Sequence, residues 1–308
     1  MSRPVTVVGH RQPDVDSICA AIAYARLLSA TGTEAEPARA GEPNPETEFV
    51  LDYWDVNAPE RIDAVDAGTP LALVDHNEYG QAIAGAPEAD LVAVVDHHRI
   101  GDVTTDQPIR FRNEPVGSTA TVLASMYDEA DVRITGSTAG LLLAGLVSDT
   151  VLLRSPTTTE EDRALAERLA DLAGVDLEEY GKAQLRRKGE LGTKDPREVV
   201  LGDFKEFTFG ATQVGIGQVE TVDPAGVLDR RAAMLAAMDE VVAERDYDAL
   251  LLLVTDLLEE DSTLLTAGPA AERAAAALDA ELDDRTAFLP GVLSRKKQVV
   301  PPLGDAFE

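Results

Sequence analysis

Short apolar runs alternate with helical patterns through the first half of the chain. Three apolar runs predict buried strands, over residues 4–10, 70–76 and 90–98. Four stretches read as helices, over residues 17–30, 117–130, 137–150 and 158–174. Asp16 or Ser17 is placed to cap the first of these helices. Strands that alternate with helices predict a parallel sheet covered on both faces.

The pattern is interrupted at residues 189–196, where Gly189, Gly192 and Pro196 break any helical repeat. We predict a short linker there, between a first domain over 1–188 and a smaller α/β domain over 197–308. In the second domain, strands are predicted within residues 207–221, 247–257 and 262–268, and helices within 225–245 and 269–282. The predicted fold class is therefore α/β, with a parallel-sheet domain followed by a second, smaller domain.

Composition narrows the class of protein. The chain has 308 residues, 44% of them hydrophobic, which is ample for a packed core. Its start lacks the long apolar region of a signal peptide, and no 18-residue apolar run follows, so we expect a cytoplasmic protein without a membrane partner. The single cysteine, Cys19, excludes an intramolecular disulfide and a cysteine-based zinc site.

Charge is the strongest compositional signal. The formal net charge is −29, which repels nucleic-acid backbones and anionic membranes, so we expect no nucleic-acid partner. Only six residues are lysines. An acid-rich, lysine-poor surface suits a protein that works in concentrated salt, where self-repulsion is screened, and we predict a halophilic host. An ordinary acidic surface is the alternative interpretation.

The four histidines are distributed in an informative way. His10, His76, His97 and His98 all lie at the end of an apolar run, and the motif "DHH" places Asp96 before the last two. In open parallel sheets, ligands bind just beyond the carboxyl ends of the strands. Three separate strands therefore deliver histidine and aspartate to one edge of the predicted sheet.

Aspartates accompany these histidines. His10, Asp14 and Asp16 share one loop in "GHRQPDVDS", and a helix cap would explain only one of the two carboxylates. Asp75 leaves the second strand, and Asp149 follows the apolar stretch "GLLLAGLV", where an unpartnered carboxylate would be costly to bury. For Asp149 alone, a local cap or turn is the simpler reading, but together with the other clusters it becomes a candidate ligand.

Carboxylates and imidazoles without thiolates indicate Mn²⁺, Co²⁺, Fe²⁺ or Zn²⁺ rather than Mg²⁺ alone. The six candidate ligands are His10, Asp14, Asp16, Asp75, His97 and Asp149. These are too many for one ion with an open position. They suit two ions about 3.5–4 Å apart that share a bridging carboxylate, as in phosphoryl hydrolases.

A second candidate site is basic. "SRKKQ" at Ser294–Gln298 puts three adjacent cations into a chain that has few. A solvated tail is the usual reading of such a run, but the flanking "FLPGVL" and "QVVPPL" are typical of ordered structure. Arginine binds phosphate through two parallel hydrogen bonds and lysine supplies a point charge, so we predict anion binding.

These motifs resemble those of the family II inorganic pyrophosphatases, the manganese-dependent branch of the DHH phosphoesterase superfamily. The N-terminal clusters are shared with the superfamily, whereas "DHNE", "DHHRI", "EPVGSTAT", "LVSDT" and above all "SRKKQVVPPL" are specific to the pyrophosphatases. The resemblance covers essentially the whole chain. It implies two Mn²⁺ or Co²⁺ ions per subunit, additional Mg²⁺ that arrives with the substrate, and a homodimer joined through the N-terminal domains.

The resemblance also assigns roles to residues. It implies that His10 and Asp14 hold one ion, that Asp75 bridges both ions, and that the second ion is held by Asp16, His97 and Asp149. His98 would face the substrate phosphate instead of a metal. Three residues of the second domain would bind the phosphates, namely Lys205, Arg295 and Lys296. We further expect Asp96 to orient the imidazole of a metal ligand.

The expected reaction is hydrolysis of pyrophosphate to two phosphates by a metal-activated bridging hydroxide at a dinuclear site between the two domains. The nearest alternative is a DHH-type phosphodiesterase or exopolyphosphatase that acts on short oligonucleotides or polyphosphate. Such enzymes typically carry a histidine-containing motif in the C-terminal domain, and this sequence has no histidine after His98. A non-catalytic metal- or anion-binding regulatory protein is the alternative from a different class.

Overall fold

A computed structural model describes residues 3–188 and 194–307. The chain divides into two compact units, Met1–Lys188 and Gly189–Glu308. Residues 189–193 of the predicted linker lie outside the described residues, and Pro196 already begins a helix that Asp195 caps. The functional domain boundaries stay a prediction. Among the described residues, no helix is both long enough and apolar enough to cross a bilayer.

The first unit alternates strands and helices. Its strands are β1 (Val5–Val8), β2 (Ala35–Arg39), β3 (Glu60–Arg61), β4 (Pro70–Val74), β5 (Asp90–Asp96) and β6 (Arg110–Asn113). Its helices are α1 (Val15–Ala30), α2 (Pro45–Tyr53), α3 (Thr119–Glu129), α4 (Gly136–Thr150), α5 (Glu160–Ala173) and α6 (Leu177–Leu185). The predicted parallel sheet is confirmed, since every strand pair in it is parallel.

The order of the strands determines where a ligand can bind. The sheet runs β3-β2-β1-β4-β5-β6, so successive strands first add on one side of β1 and then, from β4 onward, on the other side. Such a reversal opens a crevice at the carboxyl ends of the two strands that flank it. The loops after β1, β4 and β5 therefore lie side by side at this edge.

Three strands of this sheet were not predicted, and their composition explains the omission. The strand β2 contains Pro37 and two charged residues, and β3 has only two residues, both charged. The strand β6 reads Arg-Phe-Arg-Asn at the edge of the sheet. None of them shows an apolar run, because strands near a sheet edge are only partly covered.

Helices α1 and α4 form the centre of the first unit and pack against each other. Both are buried nearly all round, with the run from Leu141 to Val147 of α4 wholly covered. The predicted cap of α1 is wrong: Asp14 occupies the N-cap, and its Oδ1 accepts a hydrogen bond from the Ser17 N–H at 3.0 Å. Asp16 is therefore left free for another role.

The second unit is a mixed sheet with helices on both faces. Its strands are β7 (Phe204–Phe209), β8 (Thr212–Thr221), β9 (Ala249–Asp256), β10 (Asp261–Ala267) and β11 (Thr286–Leu289). Its helices are α7 (Pro196–Leu201), α8 (Ala225–Leu228), α9 (Arg231–Arg245), α10 (Ala271–Ala276) and α11 (Val300–Phe307), with a π-helical turn at Arg295–Val299. The strand order is β11-β10-β9-β8-β7, and only β8 and β9 run parallel.

The central strand β9 is apolar on both faces, which is why its sequence reads as one apolar run. Leu250 and Leu252 pack on the α7 and α9 side, whereas Leu251 and Leu253 pack on the α10 and α11 side. The two helices predicted around this strand are shorter than expected. The helix predicted within 225–245 is interrupted between α8 and α9, and α10 covers only the first half of the predicted 269–282 segment.

Close packing at Gly140 of α4 gives a test of the first unit's core. A Cβ at this position would lie 2.3–2.6 Å from ring atoms of Trp54, whose Nε1 donates a hydrogen bond to the Tyr180 hydroxyl at 2.8 Å. We expect Gly140→Ala to lower the free energy of unfolding by about 1–3 kcal/mol, because the ring cannot yield without losing that bond. Urea unfolding followed by the fluorescence of the single tryptophan would measure it.

The matched control is Gly136→Ala at the start of the same helix. There the nearest atom to an added Cβ is the Leu172 carbonyl oxygen at 3.8 Å. Alanine favours helix over glycine by ~1 kcal/mol, so this variant should be as stable as the parent or slightly more so. Equal stability of the two variants would contradict tight packing of the indole on α4.

Candidate metal centre

The loop after β1 brings a histidine and an aspartate to the carboxyl edge of the sheet. His10 Nε2 lies 3.7 Å from Asp14 Oδ1 and 3.4 Å from Asp75 Oδ2. The backbone N–H of His10 donates to the Ser17 hydroxyl at 3.1 Å, which ties the loop to the first turn of α1. Asp14 thus both caps α1 and faces His10.

Asp75 follows β4 and occupies the middle of the site. Its backbone φ is +61°, a left-handed conformation that is unfavourable for a residue with a side chain and is often found at functional sites. The Asp75 N–H still donates to the Val95 carbonyl at 3.0 Å, so the turn begins directly at the end of the sheet. Only 2% of the Asp75 side chain is exposed.

The "DHH" segment ends β5, and its three residues have different surroundings. His97 Nδ1 lies 3.1 Å from the Val116 carbonyl oxygen, so its Nε2 points to the carboxylates. His98 Nδ1 lies 2.9 Å from Asp96 Oδ1, and the same oxygen accepts the backbone N–H groups of both histidines. Asp96 therefore orients His98, and the Val116 carbonyl orients His97. The expectation that Asp96 orients a ligand imidazole is wrong if His97 is that ligand.

Helices supply the remaining two carboxylates. Asp149 lies in the last turn of α4, and its Oδ2 is 3.5 Å from His97 Nε2. Asp16 lies in the first turn of α1, is fully buried, and its Oδ2 accepts the Thr119 N–H at 2.7 Å. The residues that sequence reasoning selected from four distant segments are therefore brought together.

These side chains form two donor sets that share one member. His10, Asp14 and Asp75 offer donor atoms within 4.8 Å of one another, and so do Asp16, Asp75, His97 and Asp149. His98 could join Asp75 and His97 in a third arrangement, but its Nδ1 is already engaged by Asp96. Asp75 is the common member, which is the position that a bridging carboxylate requires.

Two buried atoms indicate that the second set is built for a cation. Asp16 Oδ1 and His97 Nε2 are buried and have no hydrogen-bond partner among the described residues. Buried polar atoms are nearly always paired, so an unpaired carboxylate oxygen beside an unpaired ring nitrogen fits a metal ion bound between them. The donors, oxygen and imidazole nitrogen without sulfur, fit Mn²⁺.

The electrostatics lead to the same conclusion. Burial and the neighbouring carboxylates of Asp16 and Asp14 raise the pKa of Asp75 well above its usual range. Burial, together with Asp16 and Asp75, does the same to the pKa of Asp149. Asp149 also lies at the C-terminal end of α4, where the helix dipole disfavours a negative charge. Asp75 and Asp149 can both be fully ionised at neutral pH only when cations neutralise them.

Sequence reasoning missed two residues that position the carboxylates. Thr119 begins α3; its N–H donates to Asp16, and its hydroxyl donates to Asp75 Oδ1 at 3.1 Å. Gly145 of α4 leaves room for Asp16, since a Cβ there would lie 2.3 Å from Asp16 Oδ1. The segment "GSTAT" signals a helix start, but no local pattern announces which carboxylate its amide would meet.

All of these donors except the fully buried Asp16 line a cavity of about 410 Å³, to which Gln81, Gly117 and Thr157 also contribute. His98 lies on this cavity with 55% of its side chain exposed. His76, the remaining histidine, is not part of the cavity lining. Its Nδ1 lies 2.9 Å from the Val74 carbonyl oxygen, and burial lowers the pKa of His76 to about 4. It is therefore a neutral core residue.

The basic residues predicted to bind phosphate lie in the second unit. Lys205 is on β7, where it pairs in register with Ile216 of β8. Arg295 donates to the Ile216 carbonyl at 3.1 Å, which brings the basic segment next to Lys205 across 90 residues of sequence. Lys205 and Lys296 are exposed, but only 8% of Arg295 is. The expected ordering of the basic segment is confirmed, since it forms the π-helical turn.

Comparisons with known proteins agree on both units. A family model described as the DHH family, N-terminal domain, matches residues 4–146. A second, described as the DHHA2 domain, matches residues 182–306. An exopolyphosphatase-related protein from Bacteroides fragilis has a similar fold, with a TM-score of 0.52 at 12% identity over 99% of this chain and 92% of that one.

Full-length relatives are more specific. The manganese-dependent inorganic pyrophosphatase of Bacillus subtilis (strain 168) is 45% identical over 303 residues, 98% of each chain. That of Methanothrix thermoacetophila is 41% identical over the whole of both chains. A solved structure from Methanococcus jannaschii, assigned to the family II inorganic pyrophosphatases, has a TM-score of 0.61 at 41% identity and covers 98% of this chain and 99% of that one. The chain belongs to the family of manganese-dependent inorganic pyrophosphatases.

Proposed function

We propose that this protein hydrolyses inorganic pyrophosphate to two phosphates. The observation that carries the proposal is the pair of donor sets that share Asp75 within one cavity. Paired ions bridged by a carboxylate are the arrangement that clamps both the attacking and the leaving oxygen of a phosphoryl transfer. The choice of pyrophosphate as the substrate rests on the relatives named as manganese-dependent inorganic pyrophosphatases.

The site would hold two Mn²⁺ ions per subunit, with Co²⁺ as the alternative. His10 and Asp14 would hold one ion and Asp75 both, while Asp16, His97 and Asp149 would complete the other. When bound, such ions lower the pKa of coordinated water and neutralise phosphate charge. Additional Mg²⁺ would arrive with pyrophosphate, because the negative charge on its four ionisable oxygens exceeds the positive charge that the chain's own basic residues can offer.

His98 would contact the substrate instead of a metal. Its hydrogen bond with Asp96 raises the pKa of His98 above its usual value, despite partial burial, which favours the charged imidazole. With Nδ1 engaged by Asp96, the other ring nitrogen is the one available to donate a hydrogen bond to a phosphate oxygen. The exposure of His98 on the cavity supports this division of labour between the two histidines.

The second domain, residues 197–308, would bind the same substrate through Lys205, Arg295 and Lys296. The side-chain ammonium groups of Lys205 and Lys296 make no hydrogen bond or ion pair within the described part of the chain. Two exposed, unneutralised lysines beside an arginine are unusual in a chain of net charge −29 and suit an anionic substrate. The first domain, residues 1–188, would supply the metal site.

The setting of the enzyme is proposed from composition and family. The acidic surface supports the proposal that the protein has no nucleic-acid partner and comes from the cytoplasm of a halophilic host. Membership of the family supports a homodimer formed through the N-terminal domains. Sedimentation at micromolar concentration would test the dimer, since a monomer at all concentrations would exclude it.

The proposed reaction is tested by phosphate release from pyrophosphate after metal removal and reloading with Mn²⁺, Co²⁺, Zn²⁺ or Mg²⁺. We expect Mn²⁺ or Co²⁺ to restore rapid turnover, and Asp149→Ala to lower it by about 10²-fold or more, because one ion loses a ligand. The same preparations would be assayed on tripolyphosphate and on a short oligonucleotide. Cleavage of the oligonucleotide without cleavage of pyrophosphate would reject the proposal in favour of a DHH phosphodiesterase.

Gly145→Ala tests the packing that places Asp16. The added methyl group would overlap Asp16 Oδ1, so the carboxylate must leave its place in the second donor set. We expect Mn²⁺ affinity to fall by about 10–100-fold, the range for residues that support metal ligands. Calorimetric titration of metal-stripped protein would measure it, with Gly136→Ala as the control on the same helix. Equal Mn²⁺ affinity in the two variants would show that Asp16 is not held by this contact.

The halophilic prediction is tested by thermal unfolding in 0.1 M and 3 M KCl. At the higher concentration the Debye length falls below ~3 Å, so repulsion within a surface of net charge −29 is screened. We expect the midpoint to rise, and each 1 kcal/mol gained corresponds to about 2–4 °C. Sucrose at matched osmolality is the control for excluded-solute effects. A midpoint that is unchanged or lower in KCl would support an ordinary acidic surface.

A further inference from the structure

The guanidinium of Arg295 is held firmly in the second unit. Its Nη1 donates to two backbone carbonyls, that of Asp203 at 2.6 Å and that of Ile216 at 3.1 Å. Its Nη2 donates to Asp203 Oδ1 at 2.9 Å. With 8% of the residue exposed, Arg295 is a nearly buried cation, and Asp203 is the only carboxylate paired with it among the described residues.

The backbone of Arg295 is fixed as well. Its N–H donates to the Gln218 side-chain oxygen at 3.3 Å, and the Gln218 amide donates to the Leu293 carbonyl at 2.9 Å. The same amide donates to the Thr255 hydroxyl at 3.1 Å, which anchors this connection on β9. Arg295 is therefore restrained at both ends, unlike Lys296 beside it, which is exposed.

The donors that remain on Arg295 determine what it can still bind. An arginine has five N–H hydrogens, and the bonds to Asp203 and Ile216 use three of them. Within the described residues, the Nε hydrogen and one on Nη2 take part in no hydrogen bond. Two such donors match the paired contacts that a phosphate accepts from arginine.

Asp203 is also close to Lys205 along the chain. Asp203 lies in the turn directly before β7, and its carbonyl accepts the Gln218 N–H at 3.0 Å, which extends the β7–β8 pairing by one residue beyond Phe204. Ile216, the register partner of Lys205, provides the carbonyl that Arg295 meets. The short segment from Asp203 to Lys205 thus carries one cation, Lys205, and fixes the position of another, Arg295.

We propose that Asp203 is a positioning residue for phosphate binding: it fixes the Arg295 guanidinium so that its remaining donors lie beside Lys205. This inference rests on the proposed function. Arg295 contacts the substrate in this scheme, and Asp203 acts only through Arg295. A preorganised guanidinium reduces the entropy cost of substrate binding. Loss of Asp203 should therefore weaken binding more than it slows the chemical step.

The test compares Asp203→Ala with the parent in two measurements. We expect KM for pyrophosphate to rise about tenfold while kcat changes less than about threefold. Calorimetric binding of imidodiphosphate, a non-hydrolysable analogue, should weaken by a similar factor. Asp203→Asn keeps an acceptor oxygen for Nη2 and should recover part of the loss. The thermal midpoint of Asp203→Asn should stay close to that of the parent, because the amide keeps an acceptor for Nη2 and 61% of the Asp203 side chain is exposed.

A double-mutant cycle tests whether Asp203 acts through Arg295. Asp203→Ala should have little further effect in an Arg295→Met background, because the residue through which it acts is already gone. The control is Glu206→Gln, which removes a carboxylate next to Lys205 that instead pairs with Arg245 at 2.9 Å. This control should leave KM within about twofold of the parent.

Three outcomes would overturn the proposal. KM that falls in Asp203→Ala would mean that the carboxylate competes with substrate, and additive effects in the cycle would mean that Asp203 acts independently of Arg295. An equal rise of KM in Glu206→Gln would mean that only overall charge matters. Failure of the parent protein to cleave pyrophosphate would instead reject the proposed function, while imidodiphosphate binding would still report on Asp203.

Discussion

Four carboxylates that lie close together at the carboxyl edge of the parallel sheet are the constraint on which this site depends. Asp16 and Asp75 are buried, and Asp14 and Asp149 complete the group around His10 and His97. Burial and the neighbouring carboxylates raise the pKa of Asp75 and of Asp149 well above the usual range, so these two groups are fully ionised only when cations neutralise them. The need for cations is therefore a property of the packing itself, which agrees with the manganese dependence stated in the names of the relatives.

The fold supplies the rigidity that such a cluster requires. Adjacent parallel strands deliver Asp75 and the "DHH" segment, while the most buried helices of the unit deliver Asp16 and Asp149. The two helices act in opposite ways: the N-terminus of α1 favours the charge on Asp16, and the C-terminus of α4 disfavours that on Asp149. Thr119 and Gly145 then fix Asp16 between these helices.

The sequence predicted those features whose signal is local. A histidine or aspartate at the end of an apolar run is visible in the chain, and the parallel sheet places such ends together. The amide of Thr119 meeting Asp16 across 103 residues, or Asp96 turning to His98 instead of His97, depends on tertiary packing that no spacing encodes. The polar strands β2, β3 and β6 were not predicted, because they form by pairing with neighbouring strands and their own residues show no strand pattern.

An enzyme of net charge −29 that binds a highly charged anion must rely on contacts at short range. In molar salt the Debye length is ~3 Å, so neither the repulsion of the surface nor any long-range attraction reaches the substrate. What remains are direct donors and ions: the proposed metal pair, the exposed Lys205 and Lys296, and the restrained Arg295. Such contacts depend on geometry more than on net charge, which is why an acidic residue, Asp203, can lie among the cations proposed to bind phosphate without opposing them.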